Sequence, residues 1–202
     1  MTKTITGLFD SYSDATSAVD QLKATGVSDS DISIVSNNSD GRYKDGDNDA
    51  AEDAGKGAGI GAAVGGVGGL LTGLGLMAIP GVGPVVAAGW LAATAAGAVA
   101  GAVVGGAAGG LVGALTDSGV DERDAHVYAE GVRRGGTLVT AKVDESRAAE
   151  AEAILQRSNW VDLPTRRTAY EGEGWTAFDD EADPYTQDKI DAERNRYAKR
   201  GL

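Results

Sequence analysis

Apolar and polar positions in residues 1–36 follow the pattern of a strand, a helix and a second strand. Residues 4–9 form a short β-prone run, and residues 31–36 (DISIVS) alternate apolar and polar side chains, as a half-buried strand does. Between these runs the apolar residues recur at helical spacing, at Ala15, Ala18, Val19 and Leu22. Gly26 ends this helix. The pattern predicts the first half of a small α/β domain.

The same kind of pattern returns in residues 117–164. Residues 121–134 predict a helix, residues 137–143 (TLVTAKV) a strand, and residues 144–157 a second helix. Residues 159–163 (NWVDL) predict a last strand, which a proline closes. The order of elements predicts an α+β fold, with a ferredoxin-like, four-stranded antiparallel sheet and helices on one face.

Residues 57–116 separate these two halves and contain no charged residue, Asn, Gln or His. Two series of five glycines at i+4 spacing run through this block: Gly57, Gly61, Gly65, Gly69 and Gly73, and then Gly97, Gly101, Gly105, Gly109 and Gly113. Residues 79–84 between them carry a strong turn signal in Pro80, Gly81, Gly83 and Pro84. The series are mirror images about residue 85, so they could face each other in an antiparallel hairpin. The block therefore predicts a glycine-zipper hairpin of two long helices.

Glycine in a helix interior costs about 1 kcal/mol relative to alanine, so such a hairpin needs apolar surroundings that offset the cost. At about 1.5 Å per residue its helices would be about 33 and 48 Å long, enough to span a hydrocarbon core of about 30 Å. Two surroundings remain open, a lipid bilayer and the hairpins of other copies of the chain. A low-complexity Gly/Ala linker is a third interpretation, but it does not explain two regular i+4 series.

The remaining segments are polar. Residues 37–56 are acidic and rich in turn formers, which predicts a mobile linker. Residues 165–202 carry scattered aromatic residues among charges, which predicts a largely disordered acidic tail with helical character over residues 186–199.

Charge and cysteine content narrow the classes of partner. The chain has 30 acidic and 18 basic residues and a net charge of −12, which disfavours nucleic acid as a partner and repels anionic lipid. The arginine pairs at 133–134 and 166–167 are expected in surface ion pairs. The absence of cysteine excludes disulfides and thiolate metal sites. The amino terminus lacks the apolar stretch of a secretory signal, so we expect any membrane to be met from the cytoplasmic side.

The residues that carry catalytic chemistry are sparse. His126 is the only histidine, and a general base would need a partner that the pattern does not supply, so we expect a surface or capping histidine. Aspartates within residues 45–49 resemble the start of a calcium loop, but Ala50 and Lys56 stand where that loop needs Gly and Glu. No phosphate-binding G-x-x-x-x-G-K-[ST] motif occurs. The sequence therefore predicts no catalytic, cofactor-binding or metal-binding residue, no small-molecule substrate and no enzyme.

Two segments of this chain resemble a known family. The first is ITGLFDSYSDATSAVDQLKATGVSDSDISIVSN (residues 5–37), and the second is DAHVYAEGVRRGGTLVTAKVDE (residues 124–145). Both are similar to the two halves of the bacterial YflT-type, heat-induced general stress domain, and the resemblance covers about residues 4–163. It implies a stress-response protein of unknown molecular function, often with a glycine-rich, membrane-like insertion, and it offers no catalytic residues.

The leading hypothesis is a non-enzymatic general stress-response protein on the cytoplasmic side of the inner membrane. It would insert its glycine-zipper hairpin into the bilayer and self-associate through the ten spaced glycines. The alternative is a soluble cytoplasmic homo-oligomer, filament or shell-like assembly, in which the hairpins of many copies form the apolar core.

Overall fold

The computed structural model describes residues 1–41, 75–94 and 110–198. Its strands are β1 (Thr2–Phe9), β2 (Ile32–Asn37), β3 (Gly75–Ile79), β4 (Gly83–Gly89) and β5 (Thr137–Asp144). Its helices are α1 (Tyr12–Ala24), α2 (Gly110–Asp117), α3 (Glu122–Arg133), α4 (Ala148–Arg157), α5 (Leu163–Glu171) and α6 (Gln187–Ala198). Short 3-10 turns at Asp29–Asp31 and Glu145–Arg147 precede β2 and α4, and residues 90–94 are helical.

The strands form one antiparallel sheet in the order β1-β5-β2-β4-β3. The predicted α+β class is confirmed, as are the elements expected within residues 4–36 and 121–157. The sheet has five strands where the sequence predicts four, because β3 and β4 extend it beyond β2 and the strand expected over residues 159–163 is absent. The three predicted strands that the structure contains, β1, β5 and β2, lie side by side in that order, while the ferredoxin-like arrangement as a whole stays a prediction.

Residues 159–163 form no strand, so the prediction of a last strand there is wrong. The segment does lie against the outer edge of β1, where the amide of Val161 donates to the carbonyl of Leu8 over 2.7 Å. Two local features prevent a longer ladder. Asn159 adopts a left-handed conformation with φ of 60°, and the carboxylate of Asp162 accepts from the Thr165 amide and caps α5.

Helices cover both faces of the sheet, whereas the sequence predicts helices on one face only. Helices α1 and α4 bury one face, and α2 and α3 bury the other. The central strands allow this, because nearly every residue of β2 and β5 is buried, including polar ones such as Ser33 and Thr140. In β5, Leu138 packs under α3 while its neighbour Val139 packs under α1 and α4. Burial on both faces is not visible in the alternating sequence of β2, because its buried serines look like solvent-facing positions.

Residues 75–89 form a β-hairpin, which corrects the predicted helical hairpin over this range. Strands β3 and β4 pair antiparallel, with Ile79 opposite Gly83, and the amide of Val82 donates to the carbonyl of Ile79 across the turn. Strand β4 also pairs with β2, so the hairpin belongs to the central sheet. The adjacent β-branched residues Val85 and Val86 favour this extended backbone.

The predicted second helix, from residue 85 to residue 116, is also not continuous. Residue 85, the mirror centre of the glycines, lies inside β4. Gly110 begins α2 with a φ of 71°, a left-handed conformation that a helix interior does not adopt. Only α2 remains as a described helix in the last part of that range.

Residues 163–198 are folded, so the prediction of a largely disordered tail is wrong. Helix α6 confirms the helix expected over residues 186–199, and α5 was not expected. Ile190 and Tyr170 are fully buried, and Tyr197 is nearly so. The apolar positions 190 and 197 are seven residues apart and lie on one face of α6, which packs this segment against the domain.

Gly89 tests whether residues 83–89 pair with β2. At φ of 87°, a Cβ on Gly89 would lie 2.1 Å from the Ile32 carbonyl oxygen and 2.8 Å from the Ser33 Cα. Gly89→Ala should therefore lower the free energy of unfolding in urea for two reasons, the cost of alanine at a positive φ and the clash with β2. The clash should add about 1–3 kcal/mol to the first cost. Gly26→Ala is the matched control, because Gly26 has a φ of 88° with no atom near its Cβ position, and should cost about 1–2 kcal/mol. In a helical hairpin Gly89→Ala would instead stabilise by about 1 kcal/mol, and that result would refute the pairing.

Candidate functional site

Both uncharged segments of the chain attach to the same end of the β-hairpin. Residues 57–74 lead directly into Gly75, and residues 95–109 follow the helical residues that continue from β4. Gly75 is the pairing partner of Ala87, so the chain joins the hairpin and leaves it within a few residues. We call residues 75 and 87–90 the hairpin base. It is the site at which the glycine-rich segments meet the folded domain.

The hairpin base is fixed to the sheet by an aromatic residue. The ammonium of Lys142 on β5 lies 3.8 Å from the centre of the Trp90 ring, a cation–π contact. The next residue, Leu91, is fully buried in the core beneath α2 and α3. The start of the second uncharged segment is therefore held against the domain.

Residues 163–198, which we call the C-terminal segment, cover the turn at the other end of the hairpin. A Cβ on Gly81 would lie 2.5 Å from the carbonyl oxygen of Asp179, and a Cβ on Gly83 would lie 2.8 Å from the Pro184 side chain. Both glycines also have positive φ angles, of 71° and 96°. These residues therefore form a β-turn that the C-terminal segment crosses closely. The sequence predicts instead that they link two helices. Pro80 and Pro84 flank the turn on either side.

A buried arginine joins the C-terminal segment to α3. The guanidinium of Arg134 donates to Glu130 at 2.6 Å, to Glu173 at 2.6 Å and to Glu193 at 3.2 Å, and lies over the Tyr170 ring at 4.0 Å. Burial by itself would lower the pKa of Arg134, but the hydrogen bond and the charge of Glu130 raise it above its ordinary value. The carboxylate of Glu130 is 1% exposed, and its charge is compensated mainly by Arg134 at 2.6 Å, with Arg133 farther away at 3.5 Å.

A second buried arginine repeats this arrangement beside it. Arg166 on α5 donates to both oxygens of Asp10 at 2.8 and 2.7 Å, and its guanidinium lies 3.6 Å from the centre of the Tyr197 ring. Burial opposes the charge of Arg166, and its hydrogen bond to Asp10 raises its pKa above the ordinary value. We call Arg134, Arg166 and these carboxylate and tyrosine partners the arginine clamp.

The arginine clamp corrects the expectation of surface ion pairs for the two arginine pairs. One member of each pair, Arg134 and Arg166, is buried, while Arg133 and Arg167 lie nearer the surface. Burial of Tyr170 raises its pKa, so its ring stays neutral beneath Arg134. The sequence does indicate part of this cluster. Residues 166 and 170, and residues 193 and 197, are four apart and so lie on one face of a helix.

His126, which the sequence predicts as a surface or capping histidine, contacts the C-terminal segment. It is half-buried, and its Nδ1 accepts a hydrogen bond of 3.2 Å from the backbone amide of Phe178. Within the described ranges, no group of three or more His, Cys, Asp or Glu side chains is placed to hold a metal ion.

An open cleft of about 390 Å³ lies at the amino end of α1. Its lining comprises Asp10, Ser11, Tyr12, Ser13, Ser36, Gly135, Thr137 and Arg194. Its two charged side chains already have partners, since Asp10 pairs with Arg166 and Arg194 pairs with Asp40. The hydroxyls of Ser36 and Thr137 bond to each other at 2.8 Å. The cleft therefore presents no uncompensated charge to a ligand.

The ten glycines predicted to form the zipper lie mostly outside the described residues. Gly113 is the exception, and it is buried in α2, which packs against α3. The other nine fall within residues 57–73 and 97–109, and most of the predicted linker, residues 42–56, also falls outside. In the part of the chain that the structure describes, no helix is both long enough and apolar enough to cross a membrane.

Comparison with known proteins supports the resemblance. Residues 4–79 match the family model of the heat-induced stress protein YflT domain. The match runs from β1 through α1 and β2 to the end of β3, and it stops before the second resembling segment, residues 124–145. No curated protein and no solved structure matches the chain significantly.

Substitution of Arg134 tests the arginine clamp. Arg134→Ala should lower the free energy of unfolding in urea by about 3–5 kcal/mol, because it leaves the buried carboxylate of Glu130 poorly compensated. Arg196→Ala is the matched control, since Arg196 pairs with Glu173 and Glu193 but is 37% exposed, and it should cost less than about 1 kcal/mol. Equal losses in the two variants would show that the clamp does not hold the C-terminal segment.

Proposed function

We propose that this chain, a general stress-response protein with a YflT-type domain in residues 4–79, acts without catalysis by assembling with copies of itself. The uncharged segments 57–74 and 95–109 would form the contacts between copies, and the acidic domains would face water. The observation that carries the proposal is the hairpin base, which joins both segments to one end of a β-hairpin inside the sheet.

The distribution of charge supports assembly through these segments. All 48 charged residues of the chain lie outside residues 57–116, and the net charge of −12 makes the remaining surface repel its copies. Like-charge repulsion acts over about 8 Å at physiological ionic strength. Two copies could therefore approach closely where the uncharged segments meet, which supports a contact beside the hairpin base.

The regular glycines supply a physical reason for the contact. The five spaced glycines of residues 57–74 and the four of residues 95–109 would each leave one ridge of a helix without side chains, so that a second helix could pack closely against it. Segments attached side by side at the hairpin base need little further ordering before they meet. The cost of about 1 kcal/mol per helical glycine is then offset by packing between segments of the same copy and of other copies.

Pairing of β2 with β4 disfavours the spanning hairpin of the leading hypothesis. Residues 42–74 connect β2 to β3, and residues 95–109 lead from the helical residues after β4 to α2, so a single crossing of a bilayer within either range would separate parts of one folded domain. The segments contain 18 and 15 residues. As helices they would be about 27 and 22 Å long, which is short of a hydrocarbon core of about 30 Å.

Membrane association on the cytoplasmic side is the second candidate. The apolar residues of the uncharged segments favour it, among them Leu70, Leu71, Val103 and Val104. The segments would then dip into one leaflet and return to the same side, and assembly would take place at that surface. The acidic domain would restrict this binding to membranes with few anionic lipids.

Sedimentation of the full-length protein tests the proposal. The wild type should sediment as a uniform assembly much larger than its 20.4 kDa monomer. Gly65→Leu and Gly105→Leu should each reduce the assembly to smaller species, because leucine fills the glycine ridge. Gly66→Leu and Gly106→Leu are matched controls one residue off the ridge and should assemble as the wild type does. Circular dichroism should show the same folded domain in all five proteins.

Two outcomes would contradict the proposal. If the wild type sediments as a monomer, the protein does not self-associate. If assembly survives both ridge substitutions, the glycine ridges are not its contacts. Flotation with vesicles of neutral phosphatidylcholine separates the two candidates. Binding to these vesicles by a protein that is monomeric without them would favour the membrane-associated form.

A further inference from the structure

We infer that β3 is an interface strand, which pairs antiparallel with β3 of a second copy of this chain. The inference rests on the proposed self-association and locates one of its contacts in the folded domain. Strand β3 is the last strand of the sheet and pairs with β4 alone. One row of its backbone amides and carbonyls therefore points away from the sheet, as at any edge strand.

The two edge strands of the sheet differ in their backbone hydrogen bonds and in their charge. At the β1 edge, the Val161 amide donates to Leu8, the Glu145 amide donates to Met1, and Lys3 places a charge on the strand. At the β3 edge, no described residue outside the hairpin donates to or accepts from the strand. The sequence of β3, GLMAI, also contains no charge and no proline. A charge or a proline on an edge strand usually prevents it from pairing with another chain, and β3 has neither.

The side chains of β3 fit a copy of the same strand. Leu76 is 37% exposed, and only Met1 is another exposed large hydrophobic residue within the described ranges. Ala78 is also exposed, and it lies on the same face as Leu76 because side chains alternate along a strand. An antiparallel pair centred on Met77 would place Leu76 of one copy directly opposite Ala78 of the other.

Charge and chain continuity favour a second copy as the occupant. A two-fold pair sets each residue of β3 against residues of the same strand, and an uncharged strand brings no like charges together. Residues 57–74, which we place between copies, lead directly into β3. Edge pairing would therefore join two five-stranded sheets into one sheet of ten strands, with the uncharged segments beside the junction.

Cysteine cross-linking tests this pairing, and the native chain contains no cysteine that could interfere. The full-length double variant Leu76→Cys/Ala78→Cys should form an intermolecular disulfide on mild oxidation. Residues directly opposite in an antiparallel pair have Cβ atoms about 4.5–5.5 Å apart, close to the separation that a disulfide needs. Leu76→Cys and Ala78→Cys alone are the matched controls. Their cysteines would meet only diagonally, about 7–8 Å apart, so each should give several-fold less cross-linked dimer.

A second variant measures the same contact without oxidation. Leu76→Glu/Ala78→Glu should lower the association constant at least tenfold in sedimentation, because carboxylates would face each other across the axis. Both positions are exposed, so the monomer should keep its circular dichroism spectrum.

The possible failures are distinguishable. If the wild type assembles but the double cysteine variant cross-links no better than the single variants, edge pairing is wrong and the proposed self-association stands. Unchanged association of the glutamate variant would overturn edge pairing in the same way. If the wild type is a monomer, the proposed function and the edge pairing both fail.

Discussion

The antiparallel pairing of β2 with β4 is the constraint on which the rest of the molecule depends. The two strands meet from Ser33 opposite Gly89 to Asn37 opposite Val85, and the Ser33 hydroxyl donates to the Ala88 carbonyl at 2.6 Å. A glycine is required at position 89 because the β2 backbone passes too closely for a Cβ. This pairing places the middle of an uncharged, sixty-residue block inside the sheet. The chain therefore returns to one folded domain after each of the two glycine-rich segments.

Both ends of the β3–β4 hairpin are held by residues far away in the sequence. At the base, Lys142 of β5 stacks on Trp90, and at the turn the chain near Asp179 and Pro184 crosses Gly81 and Gly83. The arginine clamp keeps that crossing in place by joining α5 and α6 to α3. The C-terminal helices are thus part of the structure that positions the uncharged segments. The edge strand β3 is left as the uncharged border of an otherwise acidic domain.

The parts of the fold that could be predicted from the sequence are those with a local signal. The helical spacing of Ala15, Ala18, Val19 and Leu22 requires nothing beyond α1 itself, and the Gly135-Gly136 pair marks the end of α3. The hairpin could not be recognised in this way. Residues 75–89 contain no polar position that would reveal a period of two or of 3.6, so an apolar run was compatible with helix and strand. The strand forms because these residues pair with β2, which lies about fifty residues earlier in the chain.

The packing of the C-terminal segment against the domain could not be predicted, although its last helix could, and the reason is different. Its polar composition is typical of disorder, but Arg166 and Glu193 are buried because Asp10 and Arg134 on distant elements compensate their charges. The glycine series at 57–73 and 97–109 was visible in the sequence and motivates the proposed assembly. The edge strand beside it became visible only when the sheet order was known.

Solution NMR of the hairpin tests the central claim most directly. The pairing predicts a nuclear Overhauser contact between backbone protons of Ile34 and Ala88, which are partners across β2 and β4. It also predicts strong sequential contacts between the α proton of each residue and the next amide along residues 83–89, as in an extended strand. Contacts between residues three apart along this segment, with no contact to Ile34, would show a helix and contradict the account.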